Sequence, residues 1–533
     1  MSILDQSFEG LFDDEVVAEI QRMAPDIVGL NPLSNQRSQV QNIALQIKTS
    51  CGAVTVIGGY DASFLPLDDY DGVDYLVRGP GVLAMTDLVD SLANKTRISI
   101  QGVASGNKSG IDEKMEQTGE NFSLDQLPMP YRSDQYLEDL VARNEPISIV
   151  ASVGCDWGCD FCSTPQMYPK GREERPLVDV LNEIDHCLSK DVKKFSFWDE
   201  DFFGKKGENI ERANIIIQHI KRAGAIITFS FITTTSVIQA ERMGMLPQWE
   251  GTLNRLYIGV EGGCKEALIG LGNKSCRNPK INGRAVDLVR EHEIGLQIGF
   301  IMFNPYSTFE ELEKSAKFLK DHNESCISMS YFHHLRPYPA TNIYKKLNES
   351  NLLLEDSANV EIDRHTDIPY HFQNDLVNNE TRMRDFAMEM GKISKLPSLA
   401  ESDKLMNEIY MRLVARGISK HVFNDSSGIE KILPIKSLKS IRTYKRLRGF
   451  ASKLNHNFFM DSLALFRDSE GAGFKDLADK YVSDIENILV ELRELKASLP
   501  DVTNKEDQPK TNSPVVLLAL NTKAHTGANQ VCF

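Results

Sequence analysis

Cys155, Cys159 and Cys162 fall within eight residues, in the run Gly-Cys-Asp-Trp-Gly-Cys-Asp-Phe-Cys that begins at Gly154. Three thiols at these spacings can turn inward from one loop and hold a compact metal centre, so the chain must carry that loop on a scaffold that fixes its shape. Gly154 and Gly158 supply the small residues that the bends of such a loop need. An iron–sulfur cubane usually takes four cysteine thiolates. With three, one iron keeps an open position for a substrate or cofactor, which is the logic of a catalytic rather than a structural site. The competing readings are a zinc knuckle and unpaired surface cysteines. Structural zinc wants four ligands in paired groups, and His186 and Cys187 downstream do not form such a pair.

With Phe161 directly before the last thiol, Cys-x3-Cys-x2-Cys resembles the radical S-adenosylmethionine (SAM) superfamily. The resemblance implies a [4Fe–4S] cluster on Cys155, Cys159 and Cys162, with SAM chelating the open iron. It also implies one-electron cleavage of SAM to a 5′-deoxyadenosyl radical, with an external reductant of the flavodoxin or ferredoxin type.

A chain of 533 residues is long enough for two or three domains. Its nine cysteines are odd in number and, beyond the triplet, scattered. That is no secreted disulfide framework, and it fits a reducing cytoplasm. A net charge of −15 argues against general nucleic-acid binding. No apolar run approaches the ~20 residues of a membrane-spanning helix, and the first residues lack the basic and apolar regions of a signal peptide. The expectation is a cytoplasmic protein with neither nucleic acid nor membrane as partner.

Residues 1–100 alternate helix and strand patterns: Asp14 to Met23, Ile27 to Leu30, Gln39 to Lys48, Val54 to Gly59, Asp74 to Gly79 and Leu83 to Leu92. Such alternation predicts a small Rossmann-like parallel α/β domain, with ligands bound at strand carboxyl ends, where Gly58 and Gly59 stand. Pro25-Asp26-Ile27-Val28-Gly29, Ile57-Gly58-Gly59 and Asp74 to Gly79 resemble the cobalamin-binding domain fused to many radical SAM enzymes. The resemblance implies cobalamin as a further cofactor. It is incomplete: the match begins near Ile3, so the domain reads as lacking its first strand and helix, Arg78-Gly79 is followed by no acidic pair, and no Asp-x-His-x-x-Gly supplies a lower cobalt ligand.

Residues 101–145 read as a connector. Ser105 to Asn121 has a loop composition, and Leu124 to Pro130 resembles the Leu-Asp-x-Leu-Pro-x-Pro bridge between the two domains of this group. From 146 to 345, six strand patterns appear, most followed by helices: 147–152, 194–198, 226–231, 255–260, 296–303 and 327–332. They predict a partial (β/α)6 TIM-like barrel, with its chemistry at strand carboxyl ends. At those ends, Asp199-Glu200-Asp201 resembles the family's acidic motif for the SAM amino group. Gly259-Val260-Glu261-Gly262-Gly263 resembles its Gly-Val-Glu-Ser-Gly motif, which implies that Glu261 and Gly262 meet the SAM ribose or amine. Phe303 to Thr308 partly resembles Gly-x-Pro-Gly-Glu-Thr, with Thr308 as a helix N-cap. Pro337-Tyr338-Pro339-Ala340-Thr341 resembles the closing turn, with His333, His334 and Arg336 as candidate substrate contacts.

Residues 346–500 read as a mostly helical substrate or cap region over the barrel mouth. A basic stretch from Ile435 to Arg448 reads either as a contact for an anionic or carrier-bound substrate or as a solvated helix face. Residues 501–533 have the composition of a disordered tail. These features point to a radical SAM enzyme, in the first instance a cobalamin-dependent C-methyltransferase of specialised metabolism acting on a small or carrier-bound molecule. A cobalamin-independent oxidative cyclase or rearrangement enzyme is the second reading, and a non-catalytic zinc or scaffold protein the third.

Overall fold

The structure, a computed structural model, describes residues 2–5, 13–32, 36–64, 70–105, 123–354, 368–414, 435–499 and 516–520. The amino-terminal module is built on strands β1 (Ser2–Asp5), β2 (Ile27–Asn31), β3 (Val54–Ile57), β4 (Tyr75–Val77) and β5 (Val103–Ser105). β2, β3 and β4 are parallel, and β5 adds to β4 antiparallel. Alternate residues of these short strands feed two separate cores. Val28, Leu30, Ile57 and Leu76 pack under the helices Asp13–Met23 and Arg37–Ser50, while Ile27, Val56 and Val77 pack with Ala84 and Leu88 of Val82–Ala93. A sheet covered on both faces explains why its strands read as continuous apolar runs.

The catalytic region uses β6 (Ile147–Ile149), β7 (Ser152–Val153), β8 (Glu173–Glu174), β9 (Lys194–Phe197), β10 (Ile226–Thr233), β11 (Arg255–Glu261) and β12 (Gly295–Phe300). Five of them form one parallel sheet in the order β12-β11-β10-β9-β6, and β7 and β8 make a separate antiparallel pair. Consecutive neighbours joined by helices are the right-handed βα repeat of an open barrel. Ile147, Ile149, Phe195, Phe197, Leu256, Ile258, Ile298 and Phe300 alternate on one face and are buried in the main core.

The sixth predicted strand is corrected. Residues Ser328–Tyr331 form a 3-10 turn, and only a single parallel bridge, Phe303 to His334, continues the sheet. The N–H groups that a ladder would use are taken by Asp403, which accepts from Ser328 N at 2.9 Å, Met329 N at 3.0 Å and Ser328 Oγ at 2.7 Å.

The carboxy-terminal helices Arg382–Ser394, Pro397–Val414, Ile435–Ser469 and Phe474–Ser498 share the barrel's core. Their contacts run along β12, the 3-10 turn and the helix Phe309–Asp321, so they close the open edge of the sheet; a position over the mouth is not what these contacts describe. The basic stretch lies on Ile435–Ser469, and Arg448 is buried, with Nε 3.1 Å from Cys326 Sγ, rather than displayed to a ligand.

The expected tail is corrected in part. Residues 501–515 and 521–533 lie outside the described residues, as do 106–122 of the connector loop. Val516–Leu520 is a strand, β13, inserted antiparallel between β1 and β2. The reason is local composition: the run Val515 to Leu520 is apolar throughout and costly to leave in water, and β2 otherwise presents an unpaired edge.

Candidate active site

The cysteine loop leaves the carboxyl end of β6 through β7. At Gly154 (φ +75°) a Cβ would lie 2.2 Å from the carbonyl oxygen of Gly171, so no larger residue fits the first bend. All three cysteines are free and half-buried. Burial pushes each thiol up, and like charge adds to it: Asp201 and the other two thiols at Cys155, Cys162 and Glu261 at Cys159, and Glu261 and Glu200 at Cys162. Backbone donors oppose this: the N–H of Trp157 toward Cys155, those of Lys274 (3.2 Å) and Ser275 toward Cys159, and that of Thr164 with its hydroxyl toward Cys162. Sulfur ringed by N–H groups is the surrounding that tunes an iron–sulfur centre. Among the described residues no three His, Cys, Asp or Glu side chains converge on a point where one metal ion would sit. A cubane needs no such convergence, since each thiolate takes a different iron.

Two buried polar atoms beside the loop have no partner. Asn273 accepts at Oδ1 from Ser275 N and Oγ, both at 2.9 Å, and stands 3.7 Å from Cys159 Sγ, while its Nδ2 is unsatisfied. Asp201 accepts at Oδ2 from Trp157 Nε1 at 3.0 Å, and its Oδ1 is unsatisfied. Unpaired buried donors and acceptors cost about 1–3 kcal/mol each. A polar cofactor filling the loop relieves that cost, so the residues present fit a [4Fe–4S] cluster with SAM.

The three adjacent acids have three different surroundings. Asp199, fully buried, accepts from Ala151 N (3.1 Å) and Ser152 Oγ (2.6 Å); burial raises its carboxyl to about 6 despite those bonds. Asp201 is raised to about 6 by burial, against the pull of Arg172. Glu200 turns the other way. Its Oε2 accepts from Gly154 N at 2.9 Å, and its Oε1 from the hydroxyl of Tyr60 at 2.7 Å, which brings a residue of the amino-terminal module to the cysteine loop.

Glu261 ends β11 with φ +65°, a left-handed backbone rare for a side chain of this size. A register shift between Gly259 and Glu261 accompanies it, and the Glu261 Oε1 folds back over Gly259. Burial alone raises its carboxyl to about 7, with no donor contributing. Strain of order 1–3 kcal/mol held at a strand end is characteristic of sites that grip a ligand. Gly262 follows against Leu268 and Ala267. Of the earlier pair, Gly59 (φ +92°) is required because a Cβ would meet Asn31 Oδ1 at 1.9 Å, while at Gly58 a Cβ would only touch the Val77 carbonyl oxygen at 3.7 Å, an ordinary contact.

Thr308 caps its helix as expected, accepting from Glu311 N. His334 stacks on Phe303 at 5.0 Å, and His333 Nδ1 lies 3.2 Å from the Phe300 carbonyl. Several residues escaped the motif reading. Asp160, between two of the thiols, takes Lys274, Lys346 and Asn342; burial would raise it, but these bonds hold it below its usual value. Asn273 and Lys274 follow Gly270-Leu271-Gly272 at the end of the helix Lys265–Gly270, and that glycine pair was the available signal. Tyr60 and Thr164 carried none.

An open parallel βα barrel, a three-thiol loop at the end of its first strand and a strained glutamate at the end of its fourth are the arrangement of a radical SAM domain. In agreement, residues 149–319 match the Radical SAM superfamily, whose members use a [4Fe–4S] cluster and SAM. An uncharacterized methyltransferase of Pyrococcus horikoshii is 25% identical over 362 residues, covering 66% of this chain and 76% of that protein. The anaerobic magnesium-protoporphyrin IX monomethyl ester cyclase of Rubrivivax gelatinosus is 23% identical over 359 residues, 65% of this chain and 62% of its own length. The fold is similar to that of the cobalamin-dependent S-adenosylmethionine radical enzyme OxsB, solved with aqua-cobalamin and S-adenosylmethionine bound. The TM-score is 0.61 at 17% identity, over 93% of this chain and 75% of that one. At that identity the likeness is one of fold. No helix among the described residues is long and apolar enough to cross a membrane.

Proposed function

We propose that the protein is a cobalamin-dependent radical SAM C-methyltransferase. In this reading residues 1–100 form the cobalamin module, 101–145 the connector, 146–345 the catalytic unit and 346–500 the helical substrate region. One observation carries the proposal: the glycine turn of the amino-terminal module abuts the cysteine loop through Tyr60 and Glu200, so a group held by the module faces a group held by the loop. When bound, the cluster with SAM supplies a hydrogen-abstracting radical and cobalamin supplies the methyl group.

The chain's own residues position and shield. Cys155, Cys159 and Cys162 hold three irons. Glu261, strained and without a donor, accepts from the amine or ribose of SAM beside Gly262. Asp201 offers its unpaired oxygen to the same ligand, whereas Asp199 and Glu200, whose oxygens are engaged, brace the loop. Gly58 and Gly59 let the module's backbone approach its cofactor. The substrate is a small or carrier-bound molecule, and the electron comes from a flavodoxin or ferredoxin type of donor. The setting is the cytoplasm, with neither nucleic acid nor membrane involved. The methyltransferase name of the P. horikoshii relative and the cofactors of OxsB support this reading.

Expression with hydroxocobalamin, followed by cobalt analysis and an absorption spectrum, tests it. Stoichiometric cobalt is expected; its absence would shift the function to a cobalamin-independent cyclase or rearrangement enzyme.

A further inference from the structure

Tyr60 opens the short helix Tyr60–Phe64, directly after Gly58-Gly59. Its neighbours fasten this segment to its own module. Asp61 receives both Arg37 nitrogens, at 3.0 and 2.9 Å, and the Tyr70 hydroxyl. Ser63 Oγ donates to the Gly59 carbonyl at 2.7 Å and accepts from Gly79 N at 2.9 Å, tying the turns after β3 and β4 together. Tyr60 alone of the three reaches outward. Its hydroxyl donates to Glu200 Oε1, and the other oxygen of Glu200 holds Gly154 N, one residue before the first thiol. The glycine turn is thus linked to the start of the three-thiol loop through one phenol, 140 residues in sequence from Glu200.

We infer that Tyr60 is a positioning residue that fixes the glycine turn of the amino-terminal module against the cluster loop and so sets the separation of the two cofactors. The inference rests on the proposed function for the cofactor that the module holds. The link itself does not. A carboxylate stripped of one buried donor loses about 1–3 kcal/mol. Glu200 escapes that cost by turning toward water, and it then releases Gly154. Tyr60→Phe removes only the donor and keeps the ring in place.

Two measurements on the full chain decide it, each comparing wild type with Tyr60→Phe after anaerobic cluster reconstitution. Hydrogen exchange needs no cobalamin. The variant is expected to exchange about 5- to 150-fold faster in peptides covering both 58–64 and 150–157. Acceleration confined to 58–64, or none, overturns the link. Where cobalamin loads, pulsed EPR between the reduced cluster and cob(II)alamin reads their separation. A single narrow distance is expected in wild type and a broadened or shifted one in the variant, at equal iron and cobalt content. An unchanged distance overturns the positioning role. Wild type that takes no cobalamin removes the methyl-transfer reading, and exchange alone then decides the link.

Discussion

At the scale of single residues, the site sets groups that are satisfied beside groups that are not. Asp199 has its bonds, while the Glu261 carboxyl has no donor and sits on left-handed backbone at the register shift that ends β11. A half-buried carboxylate of this kind is suited to accept from a donor-bearing ligand. Glu261→Gln keeps the shape and removes the charge. It is expected to lower kcat/KM for SAM cleavage by about 10- to 100-fold with iron content unchanged, since charge-assisted hydrogen bonds are worth about 1.5–3 kcal/mol. Steady-state 5′-deoxyadenosine formation against SAM concentration checks it. The cysteines and Glu261 were legible because spacing and strand-end position mark them. Tyr60, Thr164 and Asn273 were not, since each gains its role from a contact distant in sequence.

At the scale of elements, periodicity located the three longer helices of the amino-terminal module and the first five barrel strands closely, because one face of each is buried. It failed at 327–332, where a strand-like composition is overruled by a tertiary partner. Asp403 takes the N–H groups there and bends the chain into a turn. Asp403→Ala leaves those donors unpaired and is expected to lower the thermal midpoint. The deficit depends on pH. Burial raises the Asp403 carboxyl to about 6 in the fold, above its ordinary 3.8. A raised carboxyl contributes most below the unfolded value and loses that contribution as pH rises through the folded one. The deficit is therefore expected to be larger at about pH 5 than at about pH 8, by about 1 kcal/mol. A deficit that grows with pH would contradict the assignment.

At the scale of the whole molecule, the amino-terminal sheet is completed by the other end of the chain, because β13 stands between β1 and β2. Composition marked the surrounding tail as disordered, and a five-residue strand is too short to stand out from such a background. Ending the chain before Val516 exposes the β2 edge and leaves β1 without a partner among the described strands. Cobalamin retention is expected to fall about tenfold or more while iron content stays at the wild-type level, read as cobalt and iron per chain. Equal loss of both metals would show that β13 supports the barrel rather than the module.

The proposed function depends on three thiols holding a cluster whose fourth iron is open to SAM. The most direct test is anaerobic reconstitution, followed by iron and sulfide analysis and an assay for 5′-deoxyadenosine under a strong reductant. About four irons per chain and SAM-dependent 5′-deoxyadenosine are predicted for the wild type, and neither for Cys159→Ala. A colourless protein holding zinc or no metal, or SAM cleavage that persists in Cys159→Ala, would contradict it.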